Sequence, residues 1–454
     1  MSLDLLRDPS ALEGYARDVS GLRNPPEAVA RPESVEEAVA LMRQAAADGI
    51  SVTAAGAQTS TTGASVAARG WLLSLRPMAR ILDIDPERRV ARVEPGVLIG
   101  DLQRACAPHG LFFAPDPTSE EESTVGGAIA CNASGPRTLR YGATRAHVRA
   151  LTVALADGSL FDARRPAVEK NTVGYLMAQD PVDWFVGSEG TLGVVLEAEI
   201  ALLPTPGRVL GLGVPFPSEA HALAFIVAAR RSSRVHPRCL EYFDAEAFEV
   251  VRRAMDDPSW GPAAQAMVYL EEAGDDEPPL DEWLALAQAH GASDSDVKVF
   301  DGEHALREAR RLRHAVPAAM HERAAPFLAQ GGRRMSTDWA VPYAMVGAAL
   351  AESRRITAAH DVQPAVTYGH VGNGHPHQNF IAQDPGEVKQ IEGALEETLR
   401  AVIAMGGTVA AEHGIGKVKS KWLGLQLGAR QLAVLRALKH EFDPEGRLAP
   451  GNIL

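Results

Sequence analysis

The sequence predicts an α+β protein: helices and strands in alternation, with antiparallel hairpins among them, in two or three domains. Three observations carry this. The 454 residues exceed what one core usually holds. Strand-sized apolar runs alternate with amphipathic helical stripes, and Asp157-Gly158 stands between two such runs as a hairpin turn. Three small-residue turns, at 54–63, 114–142 and 186–195, adjoin strands and punctuate the first half.

The elements follow in order. After a polar lead-in ending near Pro26, Ser34 reads as an N-cap with Glu37 three residues on, a capping box. Val35, Ala38, Val39 and Met42 form that helix's stripe, and Gly49 ends it. Ile50–Thr53 is a short strand running into the loop Ala54 to Gly63, which is not a GxGxxG. Strands are expected at Trp71–Leu75, Ala79–Asp85 and Val90–Val93, and a helix from Ile99 to Cys106. The stretch 114–142 shows almost no helix or strand periodicity. Val148–Ala154 and Leu160–Asp162 flank the hairpin turn, and a glycine-rich turn at 186–195 leads into the strand Leu196–Leu202. Pro204-Thr205-Pro206-Gly207 marks a domain boundary.

Beyond it, Val209–Phe216, Ala266–Leu270, Met335–Val341 and Val362–Tyr368 read as strands. Glu219–Arg231, Leu280–His290 and Glu387–Ala404 read as helices, and His304–Ala315 as a basic helix stopped near Pro317. The final helix is Ala429–His440.

Composition excludes several classes. A net charge of −13 argues against nucleic acid. Three cysteines, Cys106, Cys131 and Cys239, form no CxxC, so neither a disulfide framework nor an iron–sulfur cluster is expected. No apolar run of about 18 residues and no leader pattern occur, so a cytoplasmic, non-membrane-spanning protein is expected. There is no P-loop, no HExxH and no GxSxG.

Four constellations carry chemistry. In 114–142, the turn prolines Pro115 and Pro117, the pair Gly126-Gly127 and the knot Asn132-Ala133-Ser134-Gly135 let backbone approach a ligand, and they also make plain loops. The apolar steps Val125, Ala128, Ile129 and Ala130 argue for burial, and a buried loop must send its amides somewhere. His370, His375 and His377 fall within eight residues after a strand; they suit a metal ion or serve as hydrogen-bonding struts. Glu412-His413 sets a carboxylate beside an imidazole, a ligand and a base, or a chance pair. Arg307, Arg310, Arg311 and Arg313 are a solvated face or include an anion clamp.

Together RPESVEEAV, GAQTSTTGA, PDPTS, STVGGAIACNASG, RYG, VGSEGTLGVV, HVGNGHPHQN, AAEHGIGKVK and FDPEGRLAPGNIL resemble the FAD-linked oxidase superfamily. That is the vanillyl-alcohol oxidase and p-cresol methylhydroxylase type, here its D-2-hydroxyacid dehydrogenase branch. The resemblance runs from about Pro25 to Leu454. It implies a two-subdomain FAD-binding domain over 1–206, a substrate (cap) domain with an antiparallel sheet and flanking helices over 207–405, and a C-terminal segment, 406–454, returning to the FAD domain. It implies FAD contacts at Gly56, Ala57, Gln58, Thr59, Ser60 and Gly63; at Pro115, Asp116, Thr118 and Ser119; at Thr124, Gly126 and Gly127; at Asn132, Ser134, Gly135 and Tyr141; and at Glu189, Gly190, Gly193 and Val194. It assigns His370, His377 and Glu412 to a divalent metal, zinc or manganese, His413 to catalysis as the base, and Arg313 and Asn379 to substrate.

The departures are specific. Gln58 stands where glycine is typical, and Ala54-Ala55 replaces a common Pro-Arg. No histidine matches the loop residue that bonds FAD covalently in some members, so FAD is expected to be non-covalent. Ser336, near Arg333 and Arg334, replaces a lysine that binds a second carboxylate in some relatives. A lactate- or glycolate-like D-2-hydroxy acid is therefore the expected substrate. The electron acceptor is expected to be separate: a protein subunit, a quinone or dioxygen. A homodimer is left open. The rivals are a non-redox metal hydrolase and an FAD-binding subunit without activity of its own.

Overall fold

A computed structural model describes residues 5–454; the side chains of Leu176, Glu303 and Arg313 lie outside that description. Ser34 caps the helix Val35–Ala47, its side chain accepting from the Glu37 amide at 3.2 Å. Glu37 reaches back to the amide of Glu33 at 2.8 Å, one residue before the cap. The buried stripe Ala38, Val39, Leu41, Met42 and Ala45 packs in one core with Trp71 and Leu73.

Contacts divide the chain into two units. The first holds the residues up to Gly135, Gly142–Thr205 and Glu412–Leu454; the second holds Pro136–Tyr141 and Pro206–Ala411. In the first unit β1 (Leu5–Leu6), β2 (Ala28–Ala30), β3 (Val52–Ala55) and β4 (Trp71–Ser74) form a sheet in the order β1-β2-β4-β3. β4 runs parallel to both β2 and β3, with Leu72 between Val29 and Thr53. The strands β5 (Ile81–Asp85), β6 (Val90–Val93), β8 (Val148–Ala154), β9 (Leu160–Arg164) and β10 (Val194–Ala201) form an antiparallel sheet in the order β5-β6-β10-β8-β9. β7 (Leu111–Phe112) pairs with β11 (Leu203–Pro204). The helix Ile99–Cys106 buries Ile99, Leu102 and Cys106 in the core of the five-stranded sheet.

The second unit is built on one antiparallel sheet of seven strands. They are β12 (Arg208–Phe216), β13 (Pro237–Asp244), β14 (Ala266–Gly274), β15 (Lys298–Asp301), β16 (Arg333–Ser336), β17 (Val366–Gly369) and β18 (His377–Ala382), in the order β15-β12-β14-β13-β17-β18-β16. The helices Glu219–Arg231, Ala245–Ala254, Gly302–Ala324 and Pro385–Ala404 accompany it. Among the described residues no helix is long and apolar enough to cross a membrane.

The structure corrects the sequence reading in several places. The stretch 114–142 contains a helix, Val125–Cys131. Thr124 caps it, accepting from the Gly127 amide at 3.2 Å, and Asn132 ends it in the left-handed region at φ 50°. Two glycines mask the pattern, yet Val125, Ala128 and Ile129 are buried on one face. Gly126 lies so close to Pro95 that a side chain would not fit.

The basic helix does not stop at Pro317; it runs from Gly302 to Ala324 with the proline inside. An interior proline costs about 3 kcal/mol. Leu312, Val316, Met320 and Ala324, one turn apart and buried, offset it at about 1.5–3 kcal/mol for each large side chain. The strand expected over Met335–Val341 is β16, and beyond it residues pair singly, Thr337 with Gln378 and Val341 with Gly374. β13 went unread because Arg238, Glu241 and Asp244 interrupt its apolar run. Asp244 then caps the next helix at the Ala247 amide, 2.8 Å, and accepts from Thr367 at 2.6 Å. That buried carboxyl is pushed up to about 6 by loss of solvent, with the two amides opposing.

Candidate functional site

In the first unit, small residues let separate loops touch. The loop after β3 meets the cap of the helix Val125–Cys131: a Cβ on Gly56 would collide with Thr124 Oγ1. Thr59 Oγ1 lies 3.1 Å from Ser123 Oγ, which lies 2.6 Å from Ser119 Oγ. Gly135 sits against the backbone of the buried Asp116, and Gly416 against Thr62, again with no room for a side chain. Gln58 takes a left-handed φ of 58°, the conformation that the more usual glycine would allow. Its side-chain amide secures it, donating to the carbonyls of Tyr15, Arg17 and Ser65 at 3.0–3.3 Å.

The amides of this loop matter most. Among the described residues, the backbone N–H groups of Ala57, Gln58, Thr59, Ser60 and Thr61 find no acceptor in the chain. Five successive amides without an acceptor, in a half-buried loop, suit the oxygens of a pyrophosphate. FAD fits here on that ground.

Other expected FAD residues have structural duties. Glu189, at φ 51°, accepts from the amides of Ile415 and Gly416 at 2.6 and 2.7 Å. Burial pushes its pKa up, and those amides pull it back. Gly193 packs against Val153, and Val194 is buried where β10 begins. Gly190 keeps a positive φ of 73°. Asn132 Oδ1 accepts from the Arg145 amide at 2.9 Å. Gly63 packs on Leu22, Pro115 is buried and Thr118 is exposed. Tyr141 closes the short helix Thr138–Tyr141, which belongs to the second unit. Lys417, unread in the sequence, donates to Asn452 at 2.6 Å and to the Gly63 carbonyl at 3.1 Å, and burial pushes it down to about 8. Glu412 and His413 lie in the tail of the first unit, with 3.4 Å between Glu412 Oε1 and His413 Nε2. Ser134 Oγ donates to Glu412 Oε2 at 3.3 Å.

In the second unit, β17 and β18 bring three imidazoles together. The rings of His370 and His377 are 5.2 Å apart and nearly perpendicular, and those of His375 and His377 are 4.4 Å apart. Each ring is oriented through Nδ1. His370 meets Glu241 at 2.8 and 3.0 Å, His375 meets the Trp339 carbonyl at 2.8 Å, and His377 lies 3.5 Å from the Thr337 carbonyl. A carbonyl or carboxylate only accepts, so Nδ1 carries a proton in each ring, and in a neutral imidazole that leaves Nε2 as the ligating nitrogen. A carboxylate behind a histidine is the arrangement that orients metal-binding imidazoles. His375 is fixed through Nδ1, and its Nε2 lies 3.5 Å from Asp338 Oδ1. Glu241, on the unread strand, carried no sequence signal beyond its interruption of an apolar run.

Asn379 is buried on β18, and its Oδ1 accepts from Arg334 at 2.7 Å. Arg313 stands in the helix Gly302–Ala324, and its side chain lies outside the described residues. Arg307, Arg310 and Arg311 are exposed, as a solvated face requires. A buried group also went unread: Glu271 accepts from Arg238 at 2.6 Å, Arg137 at 3.2 Å and the Tyr269 hydroxyl at 2.9 Å.

Comparison with known proteins gives two family matches. An FAD binding domain model matches residues 26–164, and the C-terminal domain model of FAD linked oxidases matches residues 206–453. Glycolate oxidase subunit GlcD of Bacillus subtilis is 31% identical over 94% of this chain and 89% of its own length. A D-2-hydroxyglutarate dehydrogenase of Xanthomonas citri is 31% identical over 100% and 94% of the two chains. A D-lactate dehydrogenase of Archaeoglobus fulgidus is 30% identical over 94% and 91%. Among solved structures, an alkyldihydroxyacetonephosphate synthase superposes with a TM-score of 0.75 at 19% identity, covering 98% of this chain and 83% of its own; that likeness speaks for the fold.

Proposed function

Because this chain belongs to the FAD-linked oxidases and is an FAD-dependent oxidoreductase, we propose that it oxidises a D-2-hydroxy acid, lactate- or glycolate-like, to the 2-keto acid. The observation that carries this reading is the pairing of His370 and His377, one oriented by Glu241, with Asn379 on the same strand as His377. Relatives named for glycolate, D-lactate and D-2-hydroxyglutarate point to the same substrate class.

The residues divide the work. Arg313 and Asn379 hold the substrate carboxylate. His370 and His377, with Glu412, would hold a divalent cation; two imidazoles and one carboxylate suit zinc or manganese. Such a cation would supply Lewis-acid polarisation of the substrate's hydroxyl oxygen. His413 takes the hydroxyl proton, and the carbon–oxygen bond gains its second pair as hydrogen leaves the α-carbon with two electrons. FAD held by the first unit would supply the acceptor for that hydride equivalent. A separate partner, a quinone or dioxygen then receives the electrons.

FAD is held non-covalently in this reading. The loop 56–63 contains no histidine or cysteine, and the thiol of Cys131 is pushed up to about 12 by burial, with the Glu189 charge adding to it, so it is a poor nucleophile. Acid precipitation is expected to leave all flavin in the supernatant; flavin in the pellet would contradict this. The activity is tested by anaerobic titration of the yellow holoenzyme with D- and L-2-hydroxy acids, followed by a dye acceptor. Bleaching by a D acid is expected and also excludes an inactive FAD subunit. A flavin that no 2-hydroxy acid bleaches would remove the reading.

A further inference from the structure

We propose that Arg334 is a substrate-binding residue that meets the carboxylate of the 2-hydroxy acid beside Asn379. The proposal rests on the reading above for the identity of the anion, and on the second unit alone for the site. Arg334 lies on the edge strand β16, where Ser336 pairs with Asn379 and Arg334 with Ile381 of β18. Side chains alternate along a strand, so His377, Asn379 and Ile381 share one face of β18, and Arg334 joins that face by its contact with Asn379.

The partners of this guanidinium are all neutral. Nε donates to Asn379 Oδ1 at 2.7 Å, one terminal nitrogen contacts His321 Nε2 at 2.8 Å, and the other lies 3.5 Å from the Tyr368 hydroxyl. Among the described residues no carboxylate comes within ion-pair distance of Arg334, whereas its neighbour Arg333 pairs with Glu392 at 3.2 Å. A half-buried cation without a counter-charge is costly unless an anion completes it. His321 does not supply that charge. Arginine only donates, so the imidazole accepts through Nε2; burial and the guanidinium both hold its pKa below the usual range.

The same logic orients Asn379. Its oxygen must face Arg334, which turns Nδ2 the other way, where it contacts the His377 carbonyl at 3.4 Å. One N–H of that amide is then spoken for, and the second is left for a ligand oxygen. A planar guanidinium fork beside an amide N–H matches the two oxygens of a carboxylate. Tyr368, whose hydroxyl reaches Arg334, also places its ring 5.5 Å from that of His377. The anion site and the imidazole face of the proposed reaction are thus neighbours within one unit.

The test uses holoenzyme and oxamate, a carboxylate that cannot be oxidised at a hydroxyl-bearing carbon. Calorimetric titration of Arg334→Met is expected to show oxamate binding weakened by about 10- to 100-fold, the scale of a lost charge-assisted hydrogen bond. With D-lactate, KM is expected to rise by a similar factor while kcat changes less. Arg334→Lys, which keeps the charge and loses the fork, is expected to recover part of the affinity. Melting temperature and flavin content, compared among wild type and both variants, separate binding from folding. Oxamate affinity within twofold of wild type in Arg334→Met, or equal loss in the methionine and lysine variants, would overturn the proposal. If no hydroxy acid reduces the flavin while oxamate binds wild type and not Arg334→Met, the proposed reaction fails and the anion site stands.

Discussion

Replacing His370 by alanine is expected to abolish turnover, remove the divalent cation and leave FAD bound. The three outcomes separate because the residues concerned do. The amides 57–61, which find no acceptor among the described residues, belong to the first unit, while His370 belongs to the second and directly follows β17, the strand that pairs with His377. Losing one of the three proposed ligands, two imidazoles and one carboxylate, would cost most of the affinity for zinc or manganese. The variant also leaves Glu241 buried without its imidazole partner, so some stability is lost with the metal. His370→Gln, which retains a hydrogen-bond donor toward Glu241, is expected to restore stability without restoring the metal. The measurements are metal content by mass spectrometry, flavin by absorbance and turnover with a dye acceptor. A metal-free sample, stripped by chelator and fully active, would refute the role of the triad.

How much of this was legible follows from where the signal lies. The loop 54–63 was readable because glycine and small residues announce close backbone approach, and the structure has Gly56 against Thr124. The helix at Ser34 was readable because capping chemistry is local. The seven-stranded sheet was readable only in part. Strand β13 carries charges that serve a long-range purpose: Arg238 pairs with Glu271, Glu241 orients His370 and Asp244 ties two elements together. Those partners lie 33, 129 and 123 residues away, beyond any local pattern. Pro317 misled for the opposite reason, since its local cost is outweighed by the buried stripe of Leu312, Val316 and Met320. Arg334 was visible in the sequence as a basic residue, and its neutral surroundings among the described residues became visible only when Asn379, His321 and Tyr368 were placed around it.

The His413→Asn variant is expected to reduce the flavin at least about a hundredfold more slowly, the usual scale for a lost general base. Asparagine keeps the approximate size and a polar tip but cannot take a proton, so substrate affinity should change much less. The turn itself is well anchored without the imidazole. Its carbonyl accepts from Thr62 Oγ1 at 3.4 Å, and the amides that follow, Ile415 and Gly416, are held by the Glu189 carboxylate. Gly414, at φ 78°, fits against Glu189 where a side chain would not. These contacts survive the substitution, so melting temperature and FAD content are expected to stay near wild type. Stopped-flow reduction of the holoenzyme by a D-2-hydroxy acid reads the step directly. A purely packing role for His413 makes the opposite forecast: FAD and stability fall together, and the holoenzyme that survives is reduced at the normal rate. That result would take His413 out of the reaction.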